Sequence, residues 1–325
     1  MKRNILTLLF CWLTISFAGA QTDGKILEKT KYILPDSVIT QLEKLKELDS
    51  PEAKELATNI LNTDFFRITY RSDGLKVVSY VAEPKGNGKY PCIIFNRGGN
   101  RDFGKLTLNR IVYNLGLMSS WGYVVIGSQY RGVDGGEGGE EFGGEDVNDV
   151  LNLIPVLEQL PKADTSRIGI EGWSRGGMMT YQVLKNTCRF KAAVVGAGLA
   201  NSFENIARRP GMEENVYSEL VPDYWNNKEE ELKKRSAVFW ADEMCKTTPL
   251  LILHGSSDWR VLPEESLELV NKLYEYKHPT RFILYEGADH GISEFRSEYN
   301  DQIKQFFNDY VRDLRELPNM EPHGR

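Results

Sequence analysis

The chain has 325 residues, of which 41% are hydrophobic, 11% aromatic and 26% charged. This is ordinary globular composition, long enough to bury a core without disulfides or metals, and it excludes disorder, collagen-like sequence and coiled coil. The formal net charge of −6 leaves no basic footprint for a nucleic-acid partner.

The chain opens with Lys2 and Arg3, an apolar stretch from Ile5 to Phe17, and Ala18-Gly19-Ala20 before Gln21. That is the grammar of a cleavable signal peptide over residues 1–20. The apolar stretch falls short of the roughly 20 residues a membrane span needs. A secreted or periplasmic protein, without a span after cleavage, is expected. Cys92, Cys188 and Cys245 then remain. An odd number at scattered spacings suggests neither a disulfide framework nor a zinc site, and Cys92 and Cys188 read as buried packing residues.

Residues 21–64 read as an N-terminal helical extension, with Leu42, Leu45 and Leu48 at helical spacing and Pro51 and Leu56 beyond them. Phe65–Arg71 and Leu75–Ala82 are β-rich runs joined by the hairpin signal Ser72-Asp73-Gly74. Apolar strands then alternate with helices. The strands are Pro91–Phe95, Tyr123–Gly127, Arg167–Glu171, Ala192–Val195, Leu250–Leu253 and Phe282–Tyr285. The helices fall at Leu106–Trp121, Val147–Leu160, Gly176–Lys185 and Glu264–Tyr276, with a closing helix to about Leu317. This alternation predicts one α/β domain over residues 65–325, a mostly parallel sheet with helices on both faces. Residues 197–247 break the rhythm with charged and aromatic residues. They read either as a solvated helical excursion or as a cap over a pocket.

The chemical signal is Gly172-Trp173-Ser174-Arg175-Gly176-Gly177. It directly follows a strand and precedes a helix, the setting of a nucleophile elbow. Small residues at 172 and 176 permit the sharp turn that lifts the Ser174 hydroxyl above the sheet. The Arg175 backbone N–H then sits at a helix N-terminus, where an oxyanion is stabilised.

Of the four histidines, His323 lies in a polar tail and His278 precedes Pro279 in a short turn. His254 ends a strand, a position more often structural than basic. His290 follows the last strand, as the order nucleophile–acid–base demands. Asp258 occupies the loop after the preceding strand and is the candidate acid. Asp289 is its rival, but neighbouring side chains meet poorly at the required geometry.

These motifs resemble the prolyl oligopeptidase family of serine peptidases, specifically its α/β-hydrolase catalytic domain. Residues 172–177 are similar to the elbow of its dipeptidyl-peptidase branch. His254-Gly-Ser-Ser-Asp258-Trp-Arg-Val261, with Ser266 and Leu269, resembles its acid loop, and Gly287–Gly291 its histidine loop. Tyr130-Arg131-Gly132 and Asp149 also match. The resemblance covers about residues 65–315 and implies an α/β-hydrolase fold with a triad of Ser174, Asp258 and His290. The stretch before residue 65 is too short for the β-propeller of the family's peptidases, so none is expected here. Phe203 falls near an aromatic position of the family's proline pocket, whose tyrosine pattern is otherwise absent.

A second oxyanion donor is expected from Asn96-Arg97-Gly98-Gly99-Asn100, where the glycines permit close backbone approach; Gly98 is the candidate. Arg97, Trp173 and Phe203 are the candidate substrate-binding residues. The loop Gly132–Gly144 holds seven glycines and four acids. It lacks a phosphate-loop lysine, and Asp134, Glu137 and Glu140 miss the calcium-loop pattern. No metal or cofactor is implied. The leading reading is a secreted serine hydrolase of this lineage that forms an acyl-enzyme on a small peptide, amide or ester. The second is a carboxylesterase for acyl-sugar or aromatic-acid esters on the same scaffold. The third is a non-catalytic binding protein.

Overall fold

The computed structural model describes residues 22–324; the expected signal peptide lies outside the described residues. Nine strands form one sheet: β1 (Ile26–Lys31), β2 (Thr63–Ser72), β3 (Leu75–Pro84), β4 (Tyr90–Asn96), β5 (Val124–Ser128), β6 (Ala163–Trp173), β7 (Ala192–Gly196), β8 (Leu250–Gly255) and β9 (Thr280–Tyr285). Their order is β1-β2-β3-β5-β4-β6-β7-β8-β9. The first three strands pair antiparallel and dock antiparallel on β5; all later neighbours are parallel. The β2–β3 hairpin turns through Asp73 and Gly74, both at positive φ, as the primed two-residue turns require.

β5, β7 and β8 are buried at every residue, because both faces of the parallel part are covered. The alternation of side chains along each strand divides the core in two. Ile94, Val195 and Ile252 pack with Met178 and Met179 of the helix Arg175–Asn186. Ile93, Val194 and Leu251 face the other way, toward Phe306, Phe307 and Val311 of the C-terminal helical segment. The α/β-hydrolase architecture expected from the alternating elements is the one observed.

Three details differ from the sequence reading. Residues 36–61 form two helices, Asp36–Glu47 and Pro51–Leu61, but the N-terminal extension also contributes β1. That strand is an edge strand, nearly all exposed, with backbone pairing rather than an apolar run to define it. The closing helix Arg296–Phe307 continues only as a π-turn to Arg312, short of residue 317. Cys188 and Cys245, read as unlinked, form a disulfide with Cα atoms 5.4 Å apart. It joins the segment after helix Arg175–Asn186 to the far end of the 197–247 insertion, where Cys245 N–H also donates to Leu184 O. Contacts of sequence-distant residues of this kind carry no local signal.

Candidate active site

Ser174 sits between β6 and the helix Arg175–Asn186 with φ 59° and ψ −122°. A non-glycine residue holds this conformation only at a cost of order 1–3 kcal/mol, and the surroundings enforce it. A Cβ on Gly172 would lie 2.0 Å from Gly176 O, and one on Gly176 would lie 2.0 Å from Asn96 O. Only glycines let the strand, the turn and β4 approach so closely. Arg175 N–H is the first of the helix, among the donors that have no intrahelical acceptor. Gly98 comes close from the other side: a Cβ there would be 3.2 Å from the Ser174 Cβ. The two candidate oxyanion donors therefore flank the serine.

Beneath the elbow lies a buried charge cluster. Glu140 accepts from Arg175 Nη1 at 2.7 Å and from Arg101 N–H at 2.8 Å, and it also pairs with Arg97. Asp146 pairs with Arg175 and accepts from Gly143 N–H. Both guanidiniums lie over the Tyr130 ring, Arg97 at 4.8 Å and Arg175 at 4.7 Å from its centroid. Arg175 Nη1 also donates to Gly99 O at 2.9 Å. One carboxylate thus ties the loop carrying Gly98 to the residue that follows the serine.

Asp258 and His290 meet from two strand-end loops. His290 Nδ1 donates to Asp258 Oδ2 at 2.7 Å. The other oxygen of Asp258 accepts Arg260 N–H and Val261 N–H at 2.8 and 3.1 Å. His254 Nε2 lies 3.2 Å from Asp258 Oδ2 and 2.9 Å from Val261 O. A carbonyl can only accept, so that nitrogen carries the proton and His254 Nδ1 accepts from the Ser266 hydroxyl at 2.7 Å. Burial pushes the Asp258 carboxyl up, but hydrogen bonds from His254 and His290 outweigh it and hold the group well below the usual carboxylate range. Asp289 turns away: its Oδ1 caps Gly291 N–H at 2.8 Å. Trp173 Nε1–H donates to His290 O at 3.0 Å and braces the histidine loop.

Ser174 and His290 line one cleft of about 220 Å³, together with Gly99, Leu199, Arg209 and Arg260. The 197–247 insertion supplies one wall through Leu199, Asn205, Arg209 and Met212. The expected substrate residues do not line it. Arg97 is wholly buried and spent on Glu140 and on Gln129 O. Trp173 packs on Tyr299 on the opposite face, and Phe203 packs on Phe239. Arg209 and Arg260 line the cleft instead; nothing local in the sequence marks them. Glu140, one of the acids weighed for calcium, is engaged by arginines, while Asp134 accepts from Tyr80 and Glu137 from Lys76 N–H.

Residues 109–313 match the prolyl oligopeptidase family. The uncharacterized peptidase YtmA of Bacillus subtilis is 30% identical over 227 residues, 69% of this chain and 85% of that protein. Dipeptidyl-peptidase 5 of Porphyromonas gingivalis is 26% identical over 238 residues, 68% of this chain but 34% of that protein. An acylaminoacyl peptidase solved with Z-Gly-Gly-Phe-chloromethyl ketone superposes with a TM-score of 0.66 at 25% identity, covering 80% of this chain and 43% of that one. The uncomplexed Pyrococcus horikoshii acylaminoacyl peptidase gives 0.64 at 26% identity, with 75% and 41% covered. The chain thus spans most of one relative and well under half of the longer ones. With its elbow, its parallel sheet and these matches, the chain belongs to the prolyl oligopeptidase family and is a serine hydrolase of α/β-hydrolase fold.

Proposed function

We propose that the protein cleaves small peptide amides through an acyl-enzyme on Ser174, and that it acts after export. The observation that carries this reading is the strained Ser174 sharing a cleft with a His290 whose Nδ1 is hydrogen-bonded to a buried Asp258. That bond leaves Nε2 of the neutral imidazole free to accept a proton. Ser174 Oγ attacks the substrate carbonyl carbon while His290 Nε2 takes its proton. The resulting oxyanion meets the Arg175 and Gly98 N–H groups. Collapse breaks the C–N bond, and His290 returns the proton to the departing amine. Water then attacks the acyl-enzyme, with His290 again as base, and releases the acid and the free serine.

Arg209 and Arg260 indicate the substrate's charge. Both line the cleft, flank the Trp259 ring at 5.3 and 5.5 Å, and form no ion pair among the described residues. A substrate with a carboxylate near the scissile bond fits them. Export rests on the leader-like residues 1–20 and on the Cys188–Cys245 disulfide, which an oxidising compartment favours. Among the described residues no helix is long and apolar enough to cross a membrane.

A panel of aminoacyl and peptidyl amides against matched acyl esters tests the reading, with an acidic and a neutral member of each pair. The amides should be turned over, the acidic ones about tenfold better by kcat/KM, and Arg209→Ala should remove that preference. Turnover confined to neutral esters would contradict it.

A further inference from the structure

A second cavity of about 220 Å³ opens on the other face of the sheet, between the helical segment 108–120 and the C-terminal helix Arg296–Phe307. Tyr113, Trp121, Trp173 and Tyr299 line it. So does Glu171, which pairs in register with Phe95 and Val194 and shares their face, away from the elbow helix. Glu171 is 7% exposed, and its carboxylate has no hydrogen-bond or ion-pair partner among the described residues. The proposed triad makes no use of it.

A buried carboxylate without a partner is costly, and burial alone pushes this one up to about 7. The lining says what relieves that cost. A metal ion needs several oxygen ligands, and this wall offers one carboxylate among aromatic rings. An anion would be repelled. An organic cation satisfies both parts, its charge on the carboxylate and its body against the rings, whose faces attract cations. Among the described residues Arg296 is the one cation in the lining, and it is itself exposed to solvent.

We propose that this cavity binds a small primary ammonium ion bearing an aromatic or branched apolar group, with Glu171 as its counter-ion. The site adjoins the chemistry without belonging to it. Trp173 lines the cavity and donates to His290 O, and Gly291 lines it as well. A bound amine therefore packs against the ring that braces the histidine loop.

Calorimetric titration of the folded protein at pH 8 tests this, with benzylammonium as the probe and benzyl alcohol as its neutral counterpart. Benzylammonium should bind at least tenfold tighter than benzyl alcohol. Glu171→Gln should remove that difference, and Tyr113→Ala, at the wall, should weaken both probes. Arg209→Ala, in the other cleft, should leave benzylammonium binding in place. No heat at millimolar benzylammonium, equal affinity for the two probes, or binding that survives Glu171→Gln would overturn the proposal.

Discussion

Asp258 receives four donors or near-donors at once: His290, His254 and the N–H groups of Arg260 and Val261. A carboxylate so held stays ionised well into acid and keeps a proton on His290 Nδ1. Asp258→Asn should lower kcat by about 10⁴, the scale of losing an orienting acid. Asp289→Asn removes only a loop cap and should cost tenfold at most. Steady-state kinetics of both folded variants decides between them. The linkage has a definite sign: with its folded value depressed below 3.8, Asp258 contributes stability at higher pH that is lost as pH falls through the depressed value. At this scale chain order and strand-end placement pointed to Ser174, Asp258 and His290, and the structure brings the last two within a hydrogen bond. Arg97 misled because a charged residue beside a glycine loop reads as exposed. Its partner, Glu140, is 43 residues away in sequence, and no short-range pattern announces the burial.

Among the elements, the loop after β4, the elbow and the glycine-rich loop before helix Asp146–Leu151 act as one unit through Glu140. Both candidate oxyanion donors sit on segments that it bonds. Glu140→Gln leaves Arg97 and Arg175 buried with less negative charge, and breaking such a pair costs about 3–5 kcal/mol. The expected outcome is a lower unfolding midpoint in denaturant, together with a kcat that falls at least tenfold at unchanged KM. A variant with full kcat would separate Glu140 from the site. The strands buried on both faces were legible as continuous apolar runs, and the hairpin as a turn signal between β-rich stretches. β1 was not: only Ile26 and Leu27 are apolar, and its identity comes from pairing with β2. The insertion left two readings open, solvated excursion or cap, and only the fold, by setting which strand ends it crosses, puts Leu199, Asn205, Arg209 and Met212 on the cleft wall.

For the whole molecule, the Cys188–Cys245 link closes a loop of sequence separation 57 around the insertion. Constraining the unfolded chain in this way contributes roughly 2–4 kcal/mol. Replacing both cysteines with serine should lower stability by that amount without abolishing the fold, as measured by urea unfolding. Cys92 stays apart: burial pushes its thiol up to about 12, so it is inert in the native state. Protein recovered after export should therefore show no rapidly reacting thiol when native and one when unfolded without reductant. Two reactive thiols more in the unreduced, unfolded protein would remove the disulfide and one support for export.

The nucleophilic role of Ser174 is tested by mass spectrometry of the protein after reaction with a fluorophosphonate. A single adduct is expected on the peptide containing Ser174, absent in Ser174→Ala and formed far more slowly in His290→Ala. An adduct on another serine, or none on the folded protein, would contradict it.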